Sequence, residues 1–216
     1  MKPRRRLIVA LIITGLLLLG LVGVGTYGLL RPSKPSAMPP GTRAVTATPP
    51  VPTGAAALKP IVHTSSSIKY ADSIVQALFT WNTTSGLQPE DFESIISEDA
   101  DPSGIETSAL VDDLAAYFPT DTQWQQLRDY RTAETVTLQR AYIPVAWGQA
   151  MASDPSAVRP GTTAVTIEAV RHRTGTWYGA TAATSDPVSL TVFVTCQPTF
   201  ARCHILRLSG LNTPLK

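Results

Sequence analysis

Hydrophobic positions change their rhythm three times along this chain. Residues 7–30 form an unbroken run of 24 uncharged residues rich in Leu, Ile, Val and Gly. As a helix that run is about 36 Å long at roughly 1.5 Å per residue, enough to cross a hydrocarbon core of about 30 Å with some tilt. From 31 to 66 no periodicity survives. Pro, Ala, Thr and Ser dominate there, with prolines at 32, 35, 39, 40, 49, 50, 52 and 60, a composition that buries too little to offset ordering entropy and favours an extended spacer.

A helical period takes over from residue 67. Ser65, Ser66 and Ser67 offer N-caps to a helix carrying Ile68, Ala71, Val75, Leu78 and Trp81, closed by Asn82 and Gly86. Gln88-Pro89-Glu90 opens a second helix with Phe92, Ile95 and Ile96 on one side. A third, over 105–118, aligns Leu110, Val111, Leu114 and Phe118 and stops at Pro119, and a short turn at 121–127 adds Trp124 to the core. The rhythm then becomes two. Segments 135–147, 162–173, 188–196 and 203–211 are rich in Val, Thr and Ile and read as strands. In the first of them Val136 and Leu138 share one parity while Ile143, Val145 and Trp147 share the other, which predicts a β-bulge between, with Pro144 at an edge or bend. Helices followed by long strands predict an α+β domain whose helices cover one face of a curved antiparallel sheet.

Charge orients this arrangement. Lys2, Arg4, Arg5 and Arg6 precede the apolar run, whereas Arg31, Lys34 and Arg43 follow it more thinly. The positive-inside bias keeps the N-terminus in the cytoplasm and sends the rest across the membrane. A cleaved signal peptide would need a shorter apolar region and a small-x-small site, yet the run ends Thr26-Tyr27-Gly28-Leu29-Leu30-Arg31. The expected organisation is therefore a cytoplasmic tail at 1–6, a transmembrane helix at 7–30, a Pro-rich linker at 31–66 and an extracytoplasmic α+β domain at 67–216. The net charge of +2 over 216 residues conceals an asymmetry, because residues 67–216 hold ten basic and all sixteen acidic residues. An acidic head argues against nucleic-acid binding, which needs a basic footprint.

The two cysteines, Cys196 and Cys203, flank a six-residue turn-like loop between two predicted strands. In an oxidising compartment that spacing predicts a structural disulfide at a hairpin neck. Metal ligation by Cys196, Cys203 and His204 is the weaker alternative, since it names no fourth ligand.

Little else carries recognisable chemistry. There is no Gly-rich phosphate loop, no H-E-x-x-H and no G-x-S-x-G. The S-x-x-K match at 66–69 falls on a helix cap without its companion motifs. His63 lies in the linker, His172 on a strand between Arg171 and Arg173, and His204 beside a cysteine. Residues 90–113 hold nine carboxylates and no basic residue. They predict a solvated acidic helical face, with Glu90, Asp91, Glu93, Glu98, Asp99, Asp101, Asp112 and Asp113 as the candidate partner-binding group. No catalytic, cofactor-binding or metal-binding residues are assigned. Tyr117, Tyr142 and Asp129 are nominal polar candidates for an internal pocket, with no spacing that links them.

Arginine outnumbers lysine 13 to 5, as in high-GC bacterial coding sequences. A short basic tail, one anchor, a Pro-rich spacer and a helices-then-strands head resembles the bitopic assembly proteins of bacterial type IV secretion and conjugation systems. Their extracytoplasmic domains have the nuclear-transport-factor-2-like cone fold. The local similarity lies in Ala77-Leu78-Phe79-Thr80-Trp81, like the aromatic-Thr-Trp helix ending of Gram-positive conjugation members, and in Tyr142 with Val145-Ala146-Trp147. The resemblance implies a non-catalytic scaffold without a cofactor, whose partners are other membrane or secretion-complex proteins or further copies of itself. An accessory subunit of a cell-envelope importer and a tethered small-ligand-binding or isomerase-like domain are the alternatives.

Overall fold

The computed structural model describes residues 58–216. The expected transmembrane helix and most of the spacer lie outside the described residues, among which no helix is long and apolar enough to cross a membrane. Helix α1 (Ser67–Leu78) starts where the serine run predicts, and Ser66 Oγ accepts from the Lys69 amide, so the S-x-x-K match is an N-cap. It buries Tyr70, Ala71, Ile74, Val75 and Leu78. Its helical spacing predicts Trp81 on this helix, but the helix ends at Leu78 before reaching it. Trp81 forms, with Asn82, the two-residue strand β1 (Trp81–Asn82). Helix α2 (Pro89–Ser97) opens with Pro at its first turn and a capping box between Gln88 and Asp91. Helix α3 (Thr107–Ala115) is shorter than the predicted 105–118, and α4 (Asp121–Asp129) is capped by Thr120 and Gln123.

Four further strands complete an antiparallel sheet of order β1-β2-β3-β4-β5. Strand β2 (Ala133–Tyr142) carries the expected irregularity, between Leu138 and Arg140. It ends at Tyr142, however. Pro144, with extended backbone, caps helix α5 (Val145–Ser153), so the Ile143-Val145-Trp147 alternation is a strand signal that the fold overrules. Strands β3 (Thr162–Trp177) and β4 (Ala180–Thr195) pair along their full 16 residues, well past the predicted limits at 173 and 188. Their turn is Tyr178-Gly179, with φ of 47° and 79°, the left-handed pair of a type I′ hairpin whose twist matches its strands. Strand β5 (His204–Leu208) follows the disulfide loop.

One face of the sheet packs against α1 to α4. Val165, Ile167 and Ala169 from β3 meet Val188, Leu190, Val192 and Val194 from β4. The space between sheet and helices is occupied by aromatic rings. Trp81 lies 5.2 Å from Trp124, and Phe92 lies 5.9 Å from Trp124 and 6.4 Å from Phe118, centroid to centroid. The opposite face is partly covered by α5 and the C-terminal segment. Thr166 Oγ1 donates to the Leu215 carbonyl and the Leu215 amide donates to Thr191 Oγ1, both at 2.8 Å. The end of the predicted linker also belongs to the domain. Leu58 and Ile61 pack on the core, the Val62 amide donates to Ser73 Oγ, and the Cys203 amide donates to the Thr64 carbonyl. The folded unit thus includes residue 58, nine positions before the expected start at 67.

Candidate functional site

The acidic residues of 90–113 do not form one solvated face. Asp99 and Asp101 are buried, because basic side chains from the sheet side reach back to them. Asp99 Oδ2 accepts from the Tyr70 hydroxyl at 2.6 Å and Asp99 Oδ1 from Arg202 at 2.6 Å, with His63 and His204 each 3.8 Å away. Burial, and then the hydrogen bond to Asp99, push the Tyr70 hydroxyl far above the ordinary phenol range. Asp101 accepts both oxygens' worth of bonding from Arg159 and from the Ser103 hydroxyl and amide. Asp113 is gripped side-on by Arg207, at 2.7 and 3.0 Å, and also accepts from the Leu208 amide. Asp91 closes its own helix cap. Glu90, Glu98 and Asp112 remain exposed and Glu93 half-buried, and among the described residues these four make no ion pair. The sequence reads the charges correctly but not their partners, which lie roughly 60 to 100 positions away (Arg159, Arg202 and Arg207).

The cysteines behave as expected. Cys196 and Cys203 form a disulfide with their Cα atoms 4.0 Å apart, one step beyond the Thr195–His204 pair that ends the β4–β5 ladder. The metal alternative lapses for this pair. The basic stretch Arg171-His172-Arg173 is also divided by the sheet. Arg171 and Arg173 point to the helix-covered face and hold the buried Glu134, and Arg173 lies 5.6 Å over the Trp81 ring. Burial raises Glu134 above the ordinary carboxylate range, with the two guanidinium groups pulling the other way. His172 faces the opposite side and bridges Thr137 at 3.0 Å and Ser185 at 2.8 Å. No basic patch results.

Tyr117, Tyr142 and Asp129 do not converge. The Tyr117 hydroxyl donates to the Ser209 carbonyl on the core side, Tyr142 stands against Glu168 on the other face, and Asp129 is exposed at the end of α4. A cleft of about 730 Å³ does lie on that other face, lined by Tyr142, Glu168, Ser189, Asn212 and Lys216 among others. Its carboxylate is already engaged, since Arg140 donates to Glu168 Oε1 at 2.7 Å.

The feature that periodicity missed is the outer half of the β3–β4 hairpin. Residues 180–187 are all exposed, and the tip displays Trp177 and Tyr178, 52% and 94% exposed. Tyr130 packs 5.0 Å from Trp177, and behind them a cleft of about 220 Å³ is lined by Leu127, Thr132, Arg173 and Ala182. Exposed aromatic rings on a rigid hairpin are contact chemistry rather than acid–base chemistry. The signal for it in the sequence is the Tyr-Gly pair followed by the Thr- and Ala-rich stretch 180–185, which carries no apolar alternation. Comparison with family models, with curated proteins and with solved structures finds no match to this chain.

Proposed function

We propose that this chain is a single-pass membrane protein whose extracytoplasmic head is a non-catalytic scaffold, an assembly subunit of a conjugation or type IV secretion-like complex, with a cone-like fold of the nuclear-transport-factor-2 type. The observation that carries this reading is the union of two parts: a basic-flanked apolar run of membrane-spanning length and a disulfide-bonded head. Supporting it, the space between sheet and helices is filled by Trp81, Trp124, Phe92 and Phe118, where enzymes of a cone fold keep their pocket. Among the ion pairs, Asp113–Arg207 ties α3 to β5, while Asp99–Arg202 and Asp101–Arg159 join the segment after α2 to loops beside the sheet, and so these pairs stabilise the head itself.

The cleft lined by Tyr142, Glu168 and Lys216 favours the second reading, a tethered small-ligand-binding head. Protease added to intact cells is expected to digest the head and leave a membrane-bound N-terminal fragment. Co-purification from membranes is expected to recover further envelope proteins with it. A head that is reached only after lysis defeats the topology, and recovery of the chain without any other envelope protein defeats the scaffold.

A further inference from the structure

We infer that the free edge of β4 joins two copies of this chain in a symmetric antiparallel β-strand pair, an association that stands apart from the identity of any envelope partner. The parity of the edge is fixed by the bonds already made beyond it. Ser189 and Thr191 direct their backbone groups away from β3, since the Asn212 amide donates to the Ser189 carbonyl and the Ser209 amide to the Thr191 carbonyl. The Ser189 amide in turn donates to Asn212 Oδ1, and the Thr191 amide to Ser209 Oγ. Stepping by two along the strand, Thr181, Ala183 and Ser185 direct their N–H and C=O groups the same way, and β5 does not reach them, pairing only with Val192 to Thr195. Unpaired edge groups of this kind template strand addition.

The occupant is a second copy because the edge is complementary to itself. Three outward-facing residues centred on Ala183 place Thr181 opposite Ser185 of the other copy and Ala183 opposite its own counterpart, which is the isologous arrangement of a twofold. Residues 180–185 carry no charge, so the twofold brings no like charges face to face. The small side chains allow close approach. Pro187 has no amide to offer, and Asn212 already occupies Ser189, which ends the free edge and selects this register over one shifted toward the C-terminus. In this register the exposed Tyr178 reaches the neighbourhood of Pro187 on the other copy, which accounts for an aromatic tip on an otherwise bland hairpin.

The test uses the full chain in detergent micelles. Opposed residues of a hydrogen-bonded antiparallel pair lie about 5.5 Å apart at Cα, a spacing that a disulfide spans. Ala183→Cys is therefore expected to give a covalent dimer on mild oxidation, whereas Gln125→Cys on exposed α4 is not. Ala183→Pro removes an outward amide without touching the β3–β4 ladder. It should move the monomer–dimer midpoint in sedimentation equilibrium to about tenfold higher concentration or more, the loss of two exposed hydrogen bonds at the symmetry axis. A chain monomeric at all concentrations, or a dimer indifferent to Ala183→Pro with no Ala183→Cys crosslink, overturns the inference.

Discussion

Trp124 shows how much of this domain rests on single side chains. It is fully buried, touches Trp81 and Phe92, and comes from a short helix whose other residues are mostly exposed. Trp124→Ala is expected to cost about 3–5 kcal/mol, the range for truncating a large buried aromatic, read as a lower denaturation midpoint with unchanged slope. Asp101 gives a pH signature. Burial opposes its charge, but the Ser103 amide and hydroxyl and the Arg159 guanidinium more than offset that and hold the carboxyl below its ordinary range. A depressed carboxylate contributes stability that is present above its unfolded titration range and lost as pH falls through the folded one. Asp101→Asn should therefore lower stability at neutral pH and flatten the decline below about pH 4. An unchanged acid limb in denaturant titrations would falsify that assignment. Glu134, whose titration is raised, works in the opposite sense: its contribution is complete at low pH and diminishes as pH rises through the folded value.

Among the elements, the β3–β4 hairpin is held at both ends by backbone geometry. At the open end, Gly161 has φ of +81°, and a Cβ there would sit 2.5 Å from the Gln197 carbonyl oxygen and 2.6 Å from that of Cys196. Gly161→Ala is expected to destabilise by about 1–3 kcal/mol, measurable by thermal or chemical unfolding, because both the conformation and the space exclude a side chain. The neighbouring disulfide closes a short loop and should contribute roughly 2–3 kcal/mol. The double substitution of Cys196 and Cys203 by Ala should lose that amount, and reductant should have no further effect on it. A wild-type chain equally stable with and without reductant would contradict this. Helix α5 illustrates where sequence rhythm misleads. Ile143, Val145 and Trp147 alternate as a strand does, but Pro144 supplies an extended N-cap and the residues after it include Ala, Gln and Met. Trp147 then reaches Phe193, 6.0 Å away, on the second face of the sheet.

At the scale of the molecule, the boundary of the folded head is itself a prediction. A chain beginning at residue 58 carries every buried side chain named above and is expected to unfold in one cooperative transition. Beginning at residue 67 removes Leu58, Ile61 and the Thr64 carbonyl that receives the Cys203 amide. That truncation should cost about 2–5 kcal/mol, a loss of partly buried apolar surface, of the Ser66 cap and of the hydrogen bonds that Val62, Thr64 and Ser66 make to Ser73, Cys203 and Tyr70. Equal midpoints for the two chains would place residues 58–66 outside the cooperative unit.

Local rules made several features legible in the sequence: the Ser66 cap, the Pro89 helix start, the bulge after Leu138, and the Cys196–Cys203 pairing across a short loop. Each depends on residues within a few positions of one another, where sterics, capping and chain connectivity act without help from the rest of the fold. What needed the tertiary structure was every question of partnership. Whether Asp99 and Asp101 face water or Arg202 and Arg159, whether Trp81 extends a helix or starts a strand, and how far β4 runs past its apolar residues are settled by groups distant in sequence. Propensities of a few tenths of a kcal/mol yield there to burial and to completion of the backbone ladder.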